Sequence, residues 1–233
     1  MVWVCAVYFV TWPNATFVIA MRSRMGAGAI KIVVPRGHGQ IGAQVSDLAA
    51  MKSAVTVRAG EERDLASIAA IYSHHVLNGL ATFEIEVPDE LEMARRRAQI
   101  VSQGLPFLVA EREGRVVGYA YAAPYRARPA YRYTLEDSIY VAQDAVGQGA
   151  GRALLDALVA ACAQAGYRQL IAVIGDSANT ASIGLHAACG FKHAGLLQGV
   201  GFKFERWVDS VLMQMELGEG RRSVRAALRT RPE

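Results

Sequence analysis

Ser138-Ile-Tyr-Val-Ala-Gln-Asp-Ala-Val-Gly-Gln-Gly-Ala-Gly-Arg-Ala-Leu-Leu155 decides how the rest of the chain is read. A β-rich run enters, Gly147, Gly149 and Gly151 follow in close succession, and an apolar pattern of helical period leaves. At such a strand-to-helix junction the first four main-chain N–H groups have no intrahelical partner. The helix dipole is positive there too, so the junction suits an anion such as a phosphate. A Walker loop needs Lys and then Ser or Thr after its last glycine; Gly151 is followed by Arg152 and Ala153, which excludes it. A dinucleotide fingerprint starting at Gly147 would place its third small residue at Arg152, far from the first turn of any repeated βαβ unit, and is excluded as well.

Outward from the loop the elements are legible by period. Upstream, the pattern predicts a strand over 55–58 and a helix over 61–78 with Leu65, Ile68, Ala69, Ile71, Tyr72 and Val76 inward and Gly79 at its end. A loop through Thr82 and Phe83 leads to Pro88-Asp89-Glu90, which opens a second helix ended by Gly104. Two β-rich runs, 107–112 and 116–123, flank the hairpin signal Glu113-Gly114, and a further strand over 133–142 enters the glycine loop. Downstream come a helix over 149–165, a continuous apolar strand over 169–174, a helix over 178–189 and the last strands within 191–217. Arg95-Arg96-Arg97 reads as a solvated helix face.

Composition narrows the function classes. The 233 residues are 52% hydrophobic and 20% charged, ordinary for a globular chain. The formal charge of +4 belongs to the ends, because residues 51–217 hold 16 basic against 18 acidic side chains, a net of −2. Nucleic-acid binding by the central part is therefore not expected. Residues 2–20 carry no charge, but Pro13 and Asn14 interrupt the run and no basic segment precedes it. Residues 1–50 are read as an extension, non-native or disordered, with the working domain over 51–217 and a basic disordered tail over 218–233; no membrane association is expected. Cys5, Cys162 and Cys189 are an odd number without CxxC spacing, and adjacent His74 and His75 cannot share a helix face. No metal site and a reduced, cytoplasmic setting are expected.

The loop that remains, Val146-Gly-Gln-Gly149-Ala-Gly151, resembles the acyl-coenzyme A loop of the GNAT superfamily of N-acetyltransferases, with Val146 where the motif has Gln or Arg. The resemblance covers about residues 55–217 in the order of strands and helices, including the Asn179 segment and Ala188-Cys-Gly-Phe191. Thr134-Leu-Glu-Asp-Ser-Ile-Tyr140, Ala172 through Asn179 and Ser182-Ile-Gly-Leu-His186 are similar to the phosphinothricin acetyltransferase group. It implies an α/β (α+β) fold: a mixed, largely antiparallel sheet, flanking helices and a splayed cofactor cleft. It also implies an acetyl-CoA-dependent N-acetyltransferase acting on the α-amino group of a small amino-acid-like substrate of the phosphinothricin or methionine sulfone/sulfoximine type, and a homodimer. A GNAT enzyme acting on another amine, such as an amino acid or polyamine, and a non-catalytic acyl-CoA sensor are the alternatives.

Acetyl transfer to an amine needs a held thioester, a neutral amine, donors for the developing oxyanion and a proton for the thiolate. The resemblance assigns the coenzyme to Ile139, Tyr140 and Val141 of the strand, to Val146, Gly147, Gln148, Gly149, Ala150, Gly151 and Arg152 of the loop, and to Asn179 and Ser182. Asn179 suits a helix cap equally well. An α-amino group titrates near 7.7–8.0, so a carboxylate suffices as base. On the strand, Glu136 shares the more polar face with Thr134, Ser138 and Tyr140, while Leu135, Asp137, Ile139 and Val141 take the other. Glu136 also matches the family's catalytic glutamate and is the expected base. His186 stands where many relatives carry the tyrosine that protonates the thiolate, as acid or relay partner, with Tyr140 as runner-up. Arg126, Arg128 and Tyr131 on the preceding loop, with Thr82, Phe83 and Phe202, are the expected acceptor pocket.

Overall fold

The computed structural model describes residues 54–222. The expected extension over 1–50 and the tail beyond 222 lie outside the described residues. At the end of the described residues Gly220–Arg222 form a 3-10 turn, and Arg221 pairs with Glu216 at 3.3 Å.

Seven strands form one sheet: β1 (Thr56–Ala59), β2 (Phe107–Arg112), β3 (Arg115–Pro124), β4 (Thr134–Val141), β5 (Gln169–Gly175), β6 (Lys192–Lys203) and β7 (Arg206–Glu216). Their spatial order is β1-β2-β3-β4-β5-β7-β6, and every neighbouring pair is antiparallel except β4 with β5. The helices are α1 (Leu65–Asn78), α2 (Glu90–Ser102), α3 (Ala150–Gln164) and α4 (Thr180–Ala188). The sequence periods place each element to within a few residues. Glu113 and Gly114 both take positive φ, 52° and 76°, the conformation a two-residue turn between right-twisted strands requires. Asp89 caps α2 by accepting the Glu92 N–H at 2.7 Å.

Alternation along β4 divides the helices between the two sheet faces. Tyr140 packs edge-on against Tyr72 of α1, with ring centroids 4.9 Å apart. On the other face Leu154 of α3 reaches Gly118, the partner of Val141, and α4 meets Asp137. The core fills both layers: Ile68 and Val76 from α1, Leu154, Leu155, Leu158 and Cys162 from α3, with Val109, Leu135 and Leu170 between them. Cys162 acts as a small apolar residue, its thiol pushed up to about 12 by burial.

The β1–α1 turn is held by ions rather than by apolar contact. Arg58 bonds Asp64 with two parallel N–H groups at 2.7 and 2.8 Å, and Asp64 also accepts the Glu61 N–H at 2.8 Å. The arginine run of α2 is not the solvated face its sequence suggests. Arg96 bonds Glu84 at 2.6 Å and Glu92 at 2.8 Å, and Arg97 donates twice to the Gly60 carbonyl at 2.9 and 2.7 Å, so only Arg95 keeps to the outside. Truncating the centre of the α3 layer should leave a cavity that the packed sheet beside it cannot collapse. Leu154→Ala is expected to cost about 3 kcal/mol of stability, read from denaturant unfolding.

Candidate active site

The parallel pair is short. Thr134, Leu135, Glu136 and Asp137 of β4 match Gln169, Leu170, Ile171 and Ala172 of β5, and there the pairing stops. Beyond it β4 stays with β3 as far as Val141 opposite Gly118, and β5 stays with β7 as far as Gly175 opposite Ser210. Two strands that follow different neighbours open a wedge between them, and the edge of β4 past Asp137 has no strand partner. A cavity of about 290 Å³ occupies the wedge, lined by Glu136 to Tyr140, Ala172 to Gly175, Asn179, Ser182 and His186, with Ala81, Thr82, Phe83, Tyr121 and Ser210.

The two faces of β4 give this cavity two chemical sides. Glu136 is half-buried and receives no hydrogen bond among the described residues. Burial raises its pKa above the ordinary value, the neighbouring Asp137 charge raises it further, and Arg126 pulls it back. Tyr140 shares that side, its hydroxyl held well above its ordinary range by burial and therefore protonated. On the opposite side His186 is buried with both ring nitrogens engaged. Nδ1 lies 2.8 Å from the Ser182 carbonyl and so must carry a proton and donate; Nε2 lies 3.0 Å from Asp137 Oδ2. Burial disfavours the imidazolium, but Asp137 and the Ser182 carbonyl outweigh it and the His186 pKa is raised. Neither nitrogen of His186 is free to meet a thiolate directly, so any proton it manages passes through Asp137.

Asp137 is the residue that sequence reading left unassigned. It is buried, its Oδ1 has no hydrogen-bond partner among the described residues, and it lines the cavity. The signal was a lone acid on a strand face otherwise made of Leu135, Ile139 and Val141.

At the glycine loop, Gly147 and Gly149 have φ of 76° and 89°, and a Cβ on either would meet nothing within 4 Å, so glycine is needed there for conformation and not for space. Gly149 is the left-handed cap of α3 and has no side chain to occupy the first N–H groups, which find no acceptor among the described residues. Those donors, an open strand edge and a cavity between them fit a ligand with a pyrophosphate at one end and amides along its length. The loop is braced from outside by Arg112, which bonds the Gln148 side chain and donates to its carbonyl at 2.8 Å. Val146 is exposed, and Arg152 is paired with Asp156 at 2.7 Å. Asn179 accepts the Ser182 N–H at 3.1 Å as a helix cap and also lines the cavity. His75, on α1, meets the Val141 carbonyl at 2.9 Å and closes that end of the strand.

The acceptor residues divide. Thr82 and Phe83 line the cavity, whereas Arg126, Arg128, Tyr131 and Phe202 stand outside its wall. Arg126 lies 5.0 Å over the Tyr125 ring, Tyr131 packs edge-on against the same ring at 5.6 Å, and Arg128 precedes an exposed 3-10 turn. Phe202 packs on Trp207 at 5.2 Å with more than half its surface exposed. Of the four, Arg126 alone is close enough to act on the charge of Glu136.

Residues 57–212 match the acetyltransferase (GNAT) domain family. The chain belongs to the GNAT acetyltransferases. It is 59% identical over 169 residues to the phosphinothricin N-acetyltransferase of Alcaligenes faecalis, covering 72% of this chain and 86% of that one. Over 168 residues it is 36% identical to an L-methionine sulfoximine/L-methionine sulfone acetyltransferase of Salmonella typhimurium, covering 71% and 96%. A GNAT superfamily phosphinothricin acetyltransferase from Sinorhizobium meliloti, solved with AcCoA, superposes with a TM-score of 0.70 at 48% identity, covering 72% of this chain and 91% of that one. The seven-stranded, splayed sheet of this GNAT enzyme is thus the fold of the relatives that the loop resembles. A Cβ at Gly149 would be forced into the left-handed region. Gly149→Ala is expected to weaken acetyl-CoA binding about tenfold by titration calorimetry, since that conformation costs roughly 1–2 kcal/mol.

Proposed function

We propose that this enzyme transfers the acetyl group of acetyl-CoA to the α-amino group of a small amino-acid-like substrate of the phosphinothricin or methionine sulfone/sulfoximine type. The observation that carries the reading is Glu136: a half-buried carboxylate without a hydrogen-bond donor, facing the wedge where β4 and β5 part. Acetyl-CoA supplies an activated thioester and a thiolate leaving group. The N–H groups at the start of α3 would hold its pyrophosphate, and the free edge of β4 at Ile139, Tyr140 and Val141 would pair with its amide-bearing arm as an added strand.

The acceptor amine then enters from the Thr82 and Phe83 side, where Glu136 accepts its proton directly or through water. A base with a raised pKa holds that proton better than an ordinary carboxylate. Arg126, outside the cavity wall, biases an acceptor's anionic group toward the mouth and offsets part of the upward push on the Glu136 pKa. On the far side the Asp137–His186 pair shares one proton between Oδ2 and Nε2, with His186 as relay partner, and Tyr140, four residues farther along β4, supplies a protonated hydroxyl.

The homodimer belongs to the same reading, supported by the exposed apolar side chains Leu196, Leu197, Val200, Phe202 and Trp207 of the β6–β7 hairpin. A cytoplasmic setting is supported by the free thiols of Cys162 and Cys189. Among the described residues no helix is long and apolar enough to cross a membrane.

A thiol-release assay on phosphinothricin, methionine sulfone, free amino acids and polyamines tests the reading; the amino-acid-like sulfone and phosphinate are expected to be preferred, and a preference for polyamines overturns it. Glu136→Gln is expected to lower turnover about 100- to 10,000-fold with acetyl-CoA affinity nearly unchanged. The acid limb of kcat/KM offers a finer check. Arg126 lowers the Glu136 pKa, so Arg126→Ala should move that limb to higher pH for one and the same substrate, whose own titration is common to both enzymes.

A further inference from the structure

Lys203, the last residue of β6, is the only lysine or arginine among the described residues that is buried, with 3% of its surface exposed. An ammonium is costly to bury unless it is bonded. Its Nζ donates to the main-chain carbonyl of Thr82 at 2.9 Å, lies 5.0 Å over the Phe204 ring and feels the charge of Glu84. The bond joins two segments that are 121 residues apart.

The segment it grips is a wall of the cavity. Thr82 is held a second time through its hydroxyl, which lies 2.9 Å from the Tyr72 hydroxyl and accepts the Glu84 N–H at 3.2 Å. Phe83 follows, its ring laid against Gly201, two residues before Lys203 on the same face of β6. A Cβ on Gly201 would overlap that ring, and a Cβ on Gly175 would overlap the Leu80 carbonyl. Residues 80–83 are thus clamped between the end of β5 and the end of β6, and Ala81, Thr82 and Phe83 face the same cavity as Glu136.

We infer that Lys203 is a positioning residue that, with Gly201, fixes the Thr82–Phe83 wall and thereby sets which amine the site accepts. The inference deepens the proposed function and rests on it. Lys203 touches neither the coenzyme's loop nor Glu136; it acts through the Thr82 carbonyl.

Lys203→Met keeps the length and apolar stem and removes the donor. It is expected to raise the acceptor KM about tenfold or more, as losing a charged hydrogen bond does, and to change the ranking of acceptors, with the acetyl-CoA KM held within about twofold. Gly201→Ala, which displaces the Phe83 ring, should act in the same direction and lose its effect in a Phe83→Ala background. Amide exchange gives a readout independent of any substrate: the Glu84 N–H should lose protection in Lys203→Met. Unchanged acceptor KM and ranking, or acceptor and acetyl-CoA KM rising together with unchanged Glu84 protection, overturns the inference. If Lys203→Met does not fold, Gly201→Ala with and without Phe83→Ala decides it on the same readings. A wild type that acetylates none of the amines sinks the proposed function instead, and Glu84 exchange then decides the role of Lys203 alone.

Discussion

The structure turns on four residue pairs. β4 and β5 are the only parallel neighbours in the sheet, and their match ends at Asp137 and Ala172 because each strand then follows a different antiparallel partner. A continuous sheet would satisfy every main-chain group between them and leave no room for a ligand. The divergence instead leaves an open strand edge in the middle of the protein, lined by side chains from both strands and reached from both faces of the sheet. The glycine loop at the far end of β4 gains its direction from the same event, since the strand with the open edge is the one that runs into the α3 N-terminus.

That one strand also separates the chemistry. Successive side chains on β4 point to opposite faces, so Glu136 and Asp137 are neighbours in the chain yet serve different sides of the wedge. Glu136 faces the Tyr121, Thr82 and Phe83 side with no donor to stabilise its charge, which keeps it basic. Asp137 faces α4 and is compensated by His186, whose Nδ1 is committed to the Ser182 carbonyl. Two carboxylates on the same face would compete for one proton; on opposite faces they influence each other only through space, as the upward push of Asp137 on Glu136 records.

The fold was legible in the sequence because its signals are local. Alternation, helical period, Asp89 at a cap and Glu113-Gly114 at a turn each act within a few residues. The glycine loop was legible for the same reason. What the sequence did not disclose depends on partners remote in the chain: the Asp137–His186 pair spans 49 residues, Arg112 braces Gln148 across 36, and Lys203 reaches Thr82 across 121. The arginine run of α2 misled on this account, its Arg97 being bonded to Gly60 and its Arg96 to Glu84. The loop before β4 shows the opposite case. Arg128 and Tyr131 are near Glu136 in sequence, but the short 3-10 turn at 129–131 turns them outward.

The end of β6 brings two surfaces within one strand's thickness. Gly201 and Lys203 face inward onto the wall at Thr82 and Phe83, and Phe202, between them, faces outward against Trp207. Pleating makes this unavoidable: whatever holds the outer side chains of the strand fixes the backbone that aims the inner ones. The Thr82–Phe83 wall therefore owes part of its position to a hairpin that carries exposed apolar side chains, beside the hold of Tyr72 and of the end of β5. A second copy seated on those side chains would stiffen the strand carrying Lys203. The Thr82–Phe83 wall and the face such a copy would cover would then share one mechanical element, while the glycine loop, at the other end of β4, is braced independently by Arg112.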